Sequence, residues 1–160
     1  MDDPLAIYLH DHLAGARHAI ESLKTMRDRQ RNTPLGAFAS QLLKEVEEDR
    51  EALRALTDKV GTGSAVIKEA ASWIAERASR LKLTHESNYS LGTFESLELL
   101  EIGIYGKYAL WQSLEAAARS DPRLQGMDFK RLSDRAEQQR LAVRERKLQA
   151  ASRVLRKEVS

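Results

Sequence analysis

The stretch "TPLGAFASQLLKEVEEDREALRALTDKVG", residues 33–61, decides the fold. Leu35, Phe38, Leu42, Val46, Leu53, Leu56 and Val60 recur three, four or seven positions apart, which is the repeat of one helical face. Thr33 can cap such a helix, and Pro34 suits its first position because no N–H is needed there. The sequence "VGTGS" stops it near residue 61. The apolar stripe is broken once, between Val46 and Leu53, and Asp49 stands at the centre of the gap. Glu45 lies one turn earlier at the margin, while Glu47, Glu48 and Glu51 fall outside the arc. The stretch therefore predicts a long amphipathic helix that buries an acid.

The flanking sequence repeats the pattern. A first helix is expected from Pro4 to about Gln30, with Asp3 as its cap and "RNTPLG" as the break. A shorter helix is expected over about 64–83, on the stripe Ile67, Ala70, Ala71, Ile74, Ala78 and Leu81. Another long helix should run from Thr93 to about Arg119, and a last one from about Asp128 nearly to the end. No segment alternates with period two, so no sheet is expected. The four long helices would be rods of ~40 Å. The expectation is a single domain over residues 1–160, an all-α four-helix bundle of two antiparallel hairpins. The helix at about 64–83 would lie in a long central crossover, and up-down-up-down is the alternative course.

Hydrophobic residues at 42% and charged residues at 31% fit a soluble domain. The formal net charge of +2 gives no wholesale attraction to nucleic acid or lipid. With no cysteine, disulfides, thiolate metal sites and thiol nucleophiles are excluded. No apolar run reaches the ~20 residues of a membrane span, and "MDDPLAIYLHDHL" does not read as a signal peptide, so a cytoplasmic location is expected.

"LHDHLAGARHAIESL", "TPLGAFASQLLKEVEEDREAL" and "LGTFESLELLEIGIYGKYALW" resemble small, uncharacterised bacterial proteins of the ferritin-like superfamily. The resemblance implies the crossover bundle and an ancestral di-iron site, without a defined activity. A site of that kind takes a Glu from each of two helices and a Glu-x-x-His pair from each of the others. This chain departs from it. His12 stands where a Glu is wanted, Glu45 has Glu48 and Asp49 rather than a His after it, and Glu137 is followed by Arg140, which cannot ligate a metal.

"HDHLAGARHAIE", residues 10–21, holds three of the four histidines. At 100° per residue His10, His18 and Glu21 leave the apolar face, and only His12 stays on it. On the Thr93–Arg119 helix, Phe94, Leu97, Ile104, Tyr105 and Tyr108 surround Glu101. On the last helix Gln139 and Arg140 straddle the stripe of Phe129, Leu132, Ala136, Val143, Ala150 and Val154, which Lys147 interrupts lower down. Buried charges of this kind need partners. In the crossover bundle the expected network joins His12, Asp49 and Arg140 with Gln112 or Glu115, and no cofactor is expected. In the other course Glu101 joins His12, Glu45 and Asp49 as candidate ligands for iron or manganese.

Tyr105, Tyr108 and Trp111 are expected in the core or at an interface, with Gly103 and Gly106 admitting a neighbouring helix or a second subunit in a homodimer. Ten Lys or Arg against five acids over residues 128–158 make the last helix basic. Arg131, Arg135, Arg146 and Arg153 fall near one stripe that could meet nucleic-acid phosphate, though no aromatic or glycine-rich reading element accompanies them. No GxGxxG, Walker A, G-x-S-x-G or HExxH motif is present, and no catalytic residue is assigned. The functional expectation is a non-enzymatic bundle with an internal salt-bridge network. Its alternatives are a degenerate metal-binding protein and a nucleic-acid binder.

Overall fold

A computed structural model describes residues 2–61 and 90–157, and the helix expected over about 64–83 lies outside them. The described residues form α1 (Pro4–Arg29), α2 (Pro34–Val60), α3 (Leu91–Ala117), a 3-10 turn (Pro122–Leu124) and α4 (Phe129–Val154), with no strand among them.

The caps follow local chemistry. Asp3 accepts from the Leu5 N–H at 3.1 Å, and Thr33 Oγ1 accepts from the Gly36 N–H at 3.1 Å while donating to the Gln30 carbonyl at 2.7 Å. Asp128 accepts from the Arg131 N–H at 3.0 Å, so it caps α4 rather than beginning it. Helix α3 starts two residues before the expected Thr93. Ser90 takes the capping role by accepting from the Thr93 N–H at 3.2 Å, and Thr93 is buried in the first turn.

Helix α1 packs on α2, α3 on α4, and α1 on α3. Helices α2 and α4 are bridged mainly by side chains. Leu9 and Leu23 from α1, Leu42 and Leu53 from α2, Leu97 and Trp111 from α3, and Val143 and Ala150 from α4 meet in one apolar core. Trp111 stacks on Phe129 with ring centroids 6.2 Å apart, and Leu124 of the 3-10 turn is buried beside that end. Side chains far apart in sequence mark shared levels along the bundle. Arg123 Nη1 donates to Asp3 at 2.5 Å, Lys59 Nζ donates to the Gln125 carbonyl at 3.3 Å, and the Arg146 guanidinium lies 3.6 Å over the Phe38 ring.

Candidate functional site

Asp49 is 2% exposed, in the middle of α2, where the break in the apolar stripe places it. A carboxylate there loses its water and needs donors. Its Oδ2 accepts from Lys107 Nζ of α3 at 2.6 Å and from Gln139 Nε2 of α4 at 3.2 Å. Gln139 turns its Oε1 to the same ammonium at 2.5 Å and donates through Nε2 to Glu45 at 3.0 Å. Arg135 closes the outer side, with Nη2 2.8 Å from Glu48 and Nε 3.8 Å from Asp49 Oδ1. Three helices thus meet through one hydrogen-bonded centre of two cations and three carboxylates.

A second group lies between α3 and α4. Lys147 Nζ is 2.5 Å from Glu101 Oε2 and Arg140 Nη1 is 3.5 Å from Glu101 Oε1. Arg140 also grips Glu137 with two bonds of 2.8 and 2.7 Å. Its two cations balance its two carboxylates.

The environment sets protonation. Burial draws the Lys107 ammonium below the ordinary lysine range, against the pull of Asp49 toward the charged form. Arg135 and Arg140 hold Glu48 and Glu137 below the usual carboxylate range. Burial also lowers His12, with Asp11 opposing weakly.

The expected residues are shared out differently. Glu45 and Asp49 belong to the first group. Arg140 belongs to the second with Glu101, because Gln139 faces α2 while Arg140, one residue and 100° on, faces α3. His12 packs edge-on against the Tyr8 ring at 4.7 Å. Gln112 is exposed and donates to the Tyr108 hydroxyl at 2.8 Å, and Glu115 is exposed. Among the described residues, no three His, Asp or Glu side chains are grouped to hold a metal ion.

Lys107 is the residue that sequence reasoning passed over. It follows Leu100 and Ile104 and precedes Trp111 at helical spacing, so the signal was there. The tyrosines pulled the expected face round the helix, whereas Tyr105 is 57% exposed and Trp111 is fully buried. Among the described residues, a Cβ built on Gly103 or Gly106 meets no atom within 4 Å, and the helix expected against them lies outside those residues.

The basic stripe of α4 is also divided. Arg135 and Arg146 turn onto α2, whereas Arg131 is exposed. A groove of about 390 Å³ runs beside the first group, lined by Phe38, Leu42, Glu45, Arg135, Gln139 and Ala142. No helix among the described residues is long and apolar enough to cross a membrane. No protein-family model matches this chain, and no curated protein or solved structure is detectably similar to it.

Proposed function

We propose that this chain is a non-enzymatic helical-bundle protein whose inward charges form a structural network that sets the register of α2, α3 and α4. The carrying observation is the Lys107 ammonium held between Asp49 and Gln139, one group from each helix. A buried ion pair adds little stability over apolar residues of the same volume, but breaking one strands a charge at a cost of ~3–5 kcal/mol. Such a centre rewards one alignment of three helices and penalises a slip by a turn.

The same reading gives the bundle the ferritin-like course. Its support is the sharing of one end by the start of α1, the close of α2 and the α3–α4 turn, through Asp3–Arg123 and Lys59–Gln125. Helices α2 and α3 then run the same way, and the connection after Val60 joins opposite ends of the bundle.

Urea unfolding tests the network. Asp49→Ala should lose ~3–5 kcal/mol by leaving Lys107 without its carboxylate. Asp49→Ala with Lys107→Met should recover most of that loss. A single-variant loss near zero, or a double variant no better than the single, overturns the reading. Metal analysis of protein purified without chelator supplies a second arm. Stoichiometric iron or manganese, lost in His12→Ala or Asp49→Ala, would replace the structural reading with a metal-binding one.

A further inference from the structure

Among the described residues, six large apolar side chains stay between 46 and 60% exposed: Leu91, Ile102, Tyr105, Leu141, Leu148 and Leu155. All belong to α3, to α4 or to the residue closing α4, and none to α1 or α2. Leu141, Leu148 and Leu155 are seven residues apart, and so are Leu91, Glu98 and Tyr105, so each helix carries one stripe. The stripes adjoin. Gln139 faces α2 and Arg140 faces α3, so Leu141, a further 100° round, turns outward on the side away from α2. Leu148 follows Lys147 and Ile102 follows Glu101 in the same way, and Lys147 and Glu101 pair with each other.

We infer that the shared outer face of α3 and α4 is an interface with a second copy of this chain. Two helices ~40 Å long and ~10 Å apart present about 800 Å² per copy, the size a stable dimer buries on each side. The apolar stripe occupies about half that length and is bordered by polar residues, as an interface core is by its rim.

Charge selects the pairing. A two-fold axis across the helices would lay α3 on α3 and bring Glu95 and Glu98 toward their own copies. An axis along the helices lays α3 on α4 of the second copy at the level they share within one chain. Glu101 sits level with Arg140 and Lys147. Tyr105 and Ile102 then cover Leu141 of the second copy, Leu91 covers Leu155, and Glu98 comes beside Leu148 and the exposed Arg144. This arrangement sets Leu91, Ile102 and Tyr105 on apolar residues and gives Glu98 a base beside Leu148, and its two halves are identical as an isologous contact requires.

Sedimentation velocity of the full chain over about 1–100 μM tests the inference, with circular dichroism to verify helix content. The parent should dimerise within that range. Leu148→Glu, at an already half-exposed position, should keep its helices and weaken the dimer at least about 30-fold. Glu98→Arg and Arg144→Glu should each weaken it about tenfold or less, and the two together should restore it. A parent monomeric at 100 μM overturns the proposal. So does a dimer that Leu148→Glu leaves intact, or one in which the paired charge reversal is no tighter than either alone.

Discussion

Two polar residues, Asp49 and His12, lie on apolar faces and have different fates. Asp49 is legible because a carboxylate sits where α2 needs an apolar residue, and burial follows from the stripe alone. Its partners are not legible in the same way. Lys107 and Gln139 come from helices whose rotation is set by the whole core, and an error of half a helical face moves Lys107 outward and Glu101 inward. His12 needs no charged partner, because an imidazole can be buried neutral. Its lowered pKa fixes the sign of a pH effect. Between the ordinary histidine value of 6.5 and the lower folded value, the unfolded chain binds more protons, so stability falls as pH drops through that window. The parent should therefore lose more thermal stability than His12→Leu between pH 7.5 and 5.5. Equal losses in the two proteins would place the imidazole in water.

Helix boundaries were legible wherever a polar side chain could serve as a cap, as at Asp3 and Thr33. They slipped at α3, where Ser90 and Thr93 are both capable and three residues apart. Ser90 wins because Thr93 is buried, and a buried side chain suits the first turn better than a solvated cap. Glycines separate two roles at this scale. Gly36 follows the tight connection between α1 and α2, and a Cβ there would enter the shell of the Gln30 carbonyl oxygen and lie 2.8 Å from its carbon. Gly36→Ala should cost about 1–3 kcal/mol and lower Tm by several degrees. Among the described residues, a Cβ at Gly15 or Gly103 meets nothing within 4 Å. Gly15→Ala and Gly103→Ala should each raise stability by about 0.5–1 kcal/mol through helix propensity alone. Calorimetry of the three variants checks the contrast, and a Gly36→Ala protein as stable as the parent would show that the turn can yield.

The course of the chain through the bundle was not legible in any one segment. A connection of about thirty residues is long enough for either topology, and helical periodicity is the same in both directions. What separates them is which ends meet, and that depends on contacts such as Arg146 with Phe38, far apart in sequence and without a local signature. The absence of cysteine makes the choice measurable, because every thiol in a variant is an introduced one. In the proposed course Phe38 lies level with Arg146 near the far end of α4, and Lys130 lies about 24 Å away along the helix. In an up-down-up-down bundle α4 is reversed relative to α2, and Lys130 is the nearer of the two. A short bis-maleimide should therefore cross-link Phe38→Cys/Arg146→Cys within one chain in high yield and leave Phe38→Cys/Lys130→Cys unlinked. Mass spectrometry separates a link within a chain from one between copies. The reverse preference would overturn the crossover, and would require the Asp49, Lys107 and Gln139 groups to find one another in a different packing.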